Sequence, residues 1–210
     1  MQYKKLAELY EEIGSTTKRL EKISILSKFL KQLDESDKNV MYLLLGDIYP
    51  EYDERKIGIN SQLVIKSISK ATGIEEKNVV DEWKKIGDLG KVAELLISKK
   101  RQATLHNHVL TTEKVLENLK KLPELIGKGT VGRKISLITE LLASASPKEA
   151  LYLIRTLLAD LRIGIKENTI RDAIAAAFFD SSKDSLKMIQ SAIDSSNDIA
   201  SVFDVAKKRK

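Results

Sequence analysis

Two short stretches of this chain set glycine beside lysine or arginine in a pattern suited to holding phosphate. The first is Gly127-Lys128-Gly129-Thr130-Val131-Gly132-Arg133-Lys134, and the second is Arg162-Ile163-Gly164-Ile165-Lys166. In the first, Thr130 is the expected N-cap of a helix that continues through Ile135, Ile138, Leu141 and Leu142. Arg133 and Lys134 then fall in or near its first turn, where the helix macrodipole disfavours positive charge. An external anion would resolve that conflict, because free N–H groups, bare glycine backbone and two cations together make a phosphate site. For this turn alone, a flexible loop with solvated charges is the competing reading. The same conflict recurs where Ser15-Thr16-Thr17 is expected to cap a helix whose opening turn holds Lys18 and Arg19.

The elements that carry these turns read as helices. Ser146-Pro147-Lys148-Glu149 is a capping box with proline at the first helical position. From it, Ala150, Leu151, Ile154, Leu157, Leu158 and Leu161 form one apolar face, with Arg155 and Arg162 together on another side leading into the Gly164 turn. Arginines seven apart are also common on ordinary solvated faces. Upstream, a first helix carries Leu6, Leu9, Tyr10 and Ile13 and stops at a left-handed Gly14. A second runs from Leu20 to Leu33, and a third starts at Ser36-Asp37 and passes through Val40, Leu43, Leu44 and Ile48 to Pro50. Asn60 or Ser61 caps a helix over Leu63 to Ala71, and Trp83 is in phase with a core face. Two further helices, opening at Ser181-Ser182-Lys183-Asp184 and Ser195-Ser196-Asn197-Asp198, precede a basic end that reads as a linker. No segment alternates as a strand, so the expected fold is all-α, with about twelve helices in two pseudo-symmetric halves.

The halves come from an internal repeat at an offset of roughly 110 residues. Lys22-Ile23-Ser24 parallels Lys134-Ile135-Ser136, Tyr42-Leu43-Leu44 parallels Tyr152-Leu153-Ile154, and Ile57-Gly58-Ile59 parallels Ile163-Gly164-Ile165. Two similar basic turns suit a partner that itself repeats, such as a duplex backbone. The net charge of +6 and pI near 9.2 lean the same way.

Other chemistry finds little support. The chain has no cysteine, which excludes disulfides and thiolate metal sites. His106-Asn107-His108 lacks the further ligands a metal needs, and Gly-Lys-Gly-Thr is not a Walker loop. No apolar run approaches a membrane span and no signal peptide is recognisable, so the expected location is cytoplasmic.

Ser15-Thr16-Thr17-Lys18-Arg19-Leu20-Glu21-Lys22, Gly127 to Thr130 with Arg133-Lys134, Ala150-Leu151-Tyr152-Leu153-Ile154-Arg155, Leu161 to Ile165 and Thr169-Ile170-Arg171-Asp172-Ala173-Ile174 carry a resemblance. Together they resemble the N-terminal DNA-binding domain of archaeal and eukaryotic ATP-dependent DNA ligases, from about Tyr3 to Phe179. The resemblance implies a helical domain over 1–180, duplicated at about 15–73 and 127–178, that grips the minor groove on both sides of a nick. Residues 181–210 would be C-terminal helices and a basic linker towards a catalytic domain. The DNA-binding residues implied are Thr17, Lys18, Arg19, Gly127, Lys128, Gly129, Thr130, Arg133, Lys134, Arg155, Arg162, Gly164, Lys166 and Thr169. No Lys-x-Asp-Gly adenylation motif occurs in the chain, so it should not be an enzyme alone. ATP and Mg2+ would belong to the full-length enzyme, acting in replication and repair at the nucleoid. Gln102 and Leu105 fit a sliding-clamp-binding peptide, although His106 and His108 stand where its aromatics would be. A helical protein-interaction scaffold is the alternative, but solenoid repeats are much shorter than 110 residues.

Overall fold

The computed structural model describes residues 1–99 and 109–209. Among them are twelve α-helices, a 3-10 turn at Glu35–Asp37 and an isolated antiparallel bridge between Gln2 and Thr111. The fold is all-α, as expected. The chain divides into two compact units: Met1–Glu8 with Arg55–Leu161, and Leu9–Glu54 with Arg162–Lys210. Helix α1 (Tyr3–Gly14) begins in the first unit and ends in the second.

Unit 1 holds α4 (Ser61–Thr72), α5 (Glu76–Ile86), α6 (Leu89–Ser98), α7 (Thr112–Glu124), α8 (Thr130–Ser144) and α9 (Pro147–Leu157). Its main interfaces are α6 on α9 and α4 on α8. The first is tight because Gly90 lets the backbones meet: a Cβ there would lie 2.7 Å from the Leu151 carbonyl oxygen. Asp88 starts α6 by accepting from the Gly90 and Lys91 N–H groups, and its other oxygen takes Arg155 Nη2 of α9 at 2.8 Å. One carboxylate thus caps one helix and ties it to another. In the second interface, Val64, Ile65 and Ile68 of α4 and Ile138, Leu141 and Leu142 of α8 are buried. Each set keeps helical spacing, so the apolar stripes predict the burial.

Unit 2 holds α2 (Arg19–Gln32), α3 (Val40–Leu44), α10 (Glu167–Phe178), α11 (Lys183–Ser196) and α12 (Ile199–Lys208). Helices α2 and α10, whose buried faces carry Leu26, Leu30, Ile170, Ala173 and Ile174, pack on each other. Asp198 mirrors Asp88: it caps α12 and accepts from Tyr42 Oη of α3 at 2.8 Å. Phe203 is fully buried, with its ring edge-on to Phe178 at 5.9 Å.

The segments that parallel each other in sequence pair crosswise. Helix α2, which carries Lys22-Ile23-Ser24, packs on α10, which follows the second Ile-Gly-Ile turn; α8, with Lys134-Ile135-Ser136, packs on α4, which follows the first. Gly58 and Gly164 in those turns share the same left-handed φ of 62°.

Several boundaries differ from expectation. The third helix is a 3-10 turn followed by five helical residues, all buried, and Gly46 at φ 77° closes it before Ile48. Helix α9 has its capping box but ends at Leu157, so Leu161 and Arg162 lie in the connection beyond it. Asp160 N–H donates back to the Arg155 carbonyl, and Ala159 and Arg162 take φ 53° and 56°, which no helix accommodates. Gly14 ends α1 without a left-handed φ, and Trp83 is half-buried rather than core. Helices α11 and α12 group with unit 2.

Candidate nucleic-acid interface

In unit 1 the first basic turn is an open loop leading into α8. Gly127 and Gly129 have φ 101° and 87°, and the left-handed Gly129, not Thr130, is the N-cap. Thr130 is the first helical residue, and its Oγ1 donates back to the Gly127 carbonyl at 2.8 Å. No side chain therefore caps α8, and its first N–H groups are left for another acceptor. Lys128 and Arg133 are exposed and Lys134 is half-buried; none of the three has a charge partner among the described residues. Beside them a depression of about 510 Å³ is lined by Gly132, Arg133, Ser136 and Leu137 together with Lys121 and Glu140. Two acids also line it: Glu140 is bound to Lys114 and Asn118, which hold its carboxyl below the usual carboxylate range, and Glu124 lies 3.8 Å from Arg55 Nη1.

Unit 2 brings the N-terminus of α2 beside the Gly164 turn that precedes α10. Lys18, not one of the preceding Ser and Thr residues, is the N-cap, and no side chain caps this helix either. Its cations are paired: Lys18 Nζ meets Glu21 at 2.8 Å, and Arg19 Nη2 meets Asp172 at 2.6 Å. The hydrogen bonds from Lys18 and then Thr16 lower the Glu21 carboxyl. Behind the turn, the buried Lys22 donates from Nζ to the carbonyls of Ile163 at 2.6 Å and Gly164 at 3.0 Å. Thr17, Arg162, Gly164 and Lys166 are exposed around it, whereas Thr169 is 6% exposed, inside α10.

Arg155 is held inside unit 1. It does not share a helix with Arg162; it lies in unit 1 with its side chain 12% exposed, paired to Asp88 and set over the Tyr152 ring at 5.7 Å. Its charge is therefore directed inward. Gln102, Leu105, His106 and His108 lie outside the described residues. Among the described residues, no three His, Cys, Asp or Glu side chains gather so as to hold a metal ion, and no helix is long and apolar enough to cross a membrane. Sequence reasoning missed two features. Lys22 stood out only as part of the repeat, because nothing in its spacing marks it as buried. Leu20, expected on the apolar set of the second helix, and Val131, named only as part of the first turn, stand at the second position of α2 and α8 and are 81% and 51% exposed.

A family model described as DNA ligase N terminus matches residues 2–175. The chain belongs to that family. Relatives bearing the name DNA ligase include that of Methanosphaera stadtmanae, 41% identical over 180 residues, covering 84% of this chain and 32% of the relative. The DNA ligase of Methanobrevibacter smithii is 39% identical over 211 residues, 100% of this chain and 37% of its own length. That of Thermococcus onnurineus is 35% identical over 208 residues, 99% and 36% respectively. This DNA ligase N-terminal chain spans about a third of the length of the relatives it matches.

Proposed function

We propose that the chain is the DNA-gripping part of an ATP-dependent DNA ligase acting in replication and repair, and that it binds nicked and intact duplexes with little sequence preference. The observation that carries this reading is the first basic turn, where Lys128, Arg133 and Lys134 stand without charge partners beside an uncapped helix N-terminus. Phosphate satisfies both the cations and the free N–H groups. The exposed Val131, among these cations in unit 1, and the exposed Leu20, beside Lys18 and Arg19 in unit 2, each suit apolar contact with deoxyribose in a minor groove. Because that groove presents a degenerate base pattern, contacts there hold the duplex without selecting a site. Nucleotide chemistry with ATP and Mg2+ belongs to residues beyond this chain, which has no Lys-x-Asp-Gly motif. Sliding-clamp binding through Gln102 and Leu105 is supported by their spacing alone.

Fluorescence anisotropy on a nicked duplex over a salt series tests the reading. With roughly four to six phosphates neutralised, log K should fall with log salt at a slope of about −4 to −5. Selection of one short site from a random oligonucleotide pool would sink it. Radiolabelled ATP and magnesium should leave the chain unlabelled.

A further inference from the structure

Lys22 is 7% exposed, and an ammonium so buried ordinarily meets a carboxylate, because an unpaired charge in a medium of low dielectric is costly. Here it meets none among the described residues: its partners are the carbonyl oxygens of Ile163 and Gly164. Those oxygens belong to the turn that exposes Arg162, Gly164 and Lys166 on its other side. Gly164 has φ 62°, and a Cβ there would lie 2.8 Å from Lys22 Nζ. The backbone conformation therefore calls for glycine, and a Cβ there would in addition push the Lys22 ammonium from its place. The N–H groups of Gly164 and Ile165 find no acceptor among the described residues. Of the carboxylates on α10, Asp172 is engaged by both Arg19 and Arg171, and Glu167, in the first turn, makes no ion pair with Lys22. In unit 1 the parallel Lys134 makes no such bond to the Ile57-Gly58-Ile59 turn, so the arrangement is particular to Gly164.

We propose that Lys22 is a phosphate-positioning residue. Resting on the DNA-binding reading above, the assignment is that Lys22 fixes the Ile163-Gly164-Ile165 turn through its carbonyls and leaves a positive charge that no carboxylate neutralises. The unused N–H groups of that turn then take one phosphate of the DNA backbone. The ligand is an anion with several acceptor oxygens, and Lys22 acts on it through the turn without touching it.

Two measurements test this. Titrating the 15N-labelled wild-type chain with inorganic phosphate should shift the Gly164 and Ile165 amide resonances saturably; resonances that do not move would overturn the proposal. Anisotropy on a nicked duplex over a salt series, with thermal melts, then compares Lys22→Met, Lys22→Gln and Lys22→Arg. Lys22→Met should lose affinity roughly tenfold and lower the salt slope by about one, as expected for one lost phosphate. Lys22→Gln, which keeps donors without charge and remains the test if the methionine variant does not fold, should show the same drop in slope. Lys22→Arg should recover it. A folded Lys22→Met or Lys22→Gln with the wild-type slope would show a brace for the fold alone and overturn the proposal. Failure of the wild type to bind any duplex would sink the DNA-binding reading instead, and the phosphate titration, repeated on Lys22→Gln, would still report on Lys22: saturable shifts as large as in wild type would overturn the proposal.

Discussion

Lys128, Arg133 and Lys134 have no charge partners among the described residues, whereas Lys18 and Arg19 are held by Glu21 and Asp172. A phosphate approaching the second pair must displace carboxylates; at the first turn it displaces only water. Replacing Arg133 and Lys134 together by alanine should therefore weaken binding to every duplex about equally and lower the salt slope by up to about two. The Lys18→Ala, Arg19→Ala pair should cost less affinity. Alanine at Lys31 or Lys120 serves as the control in anisotropy measurements, and losses there as large as at Arg133 would remove the assignment. Arg155 behaves differently, because its loss strands a buried carboxylate. Arg155→Ala should cost about 3 kcal/mol of stability in denaturant titrations and leave the affinity of the folded fraction unchanged. For the Asp88 carboxyl, burial alone would raise the pKa, but the Arg155 and N–H hydrogen bonds outweigh it and hold the group below the usual range. The stability it contributes is complete above about pH 4, where the unfolded carboxyl ionises, and is lost as pH falls through the lower folded value. In Arg155→Ala that acid-side loss should shrink, which melts between pH 6 and pH 3 would show.

At the level of single elements, legibility depended on whether a signal was local. Asn60, Ser146, Ser182 and Asp198 accept from the N–H groups that their spacing predicts, since a cap needs only its own next three residues. The end of α9 was not legible, because it depends on left-handed conformations at Ala159 and Arg162, residues that carry no glycine signal. The basic turns themselves were legible as glycine beside cations, but the burial of Thr169 and Lys22 was not, because it arises where α2 meets α10, far apart in sequence. Removing the local signal has a small effect: Ser146→Ala should cost about 1 kcal/mol. Gly90→Ala should cost about 1 to 3 kcal/mol, because its Cβ would drive α6 away from the Leu151 carbonyl. Thermal melts of both variants give the order, and a Gly90→Ala chain as stable as wild type would mean that α6 and α9 can separate freely.

On the scale of the whole molecule, composition and periodicity were enough for an all-α fold, but not for which helices pair. Hydrophobic stripes say that a face is buried without naming its partner. The crosswise pairing has a consequence for the order in which the protein is made. Residues 9–54 leave the ribosome long before their partners in unit 2, which begin only at Arg162. At about 5–20 residues per second, Leu26, Leu30, Val40 and Leu43 wait on the order of ten seconds for α10 to α12, while unit 1 can already close around α9. A nascent chain stalled with residues up to 161 outside the exit tunnel should therefore be cut by protease within 9–54 and resist it across α4 to α9. Equal resistance of both segments would show that the first three helices find a fold without their partners. During that interval they are the part of the chain that needs a chaperone.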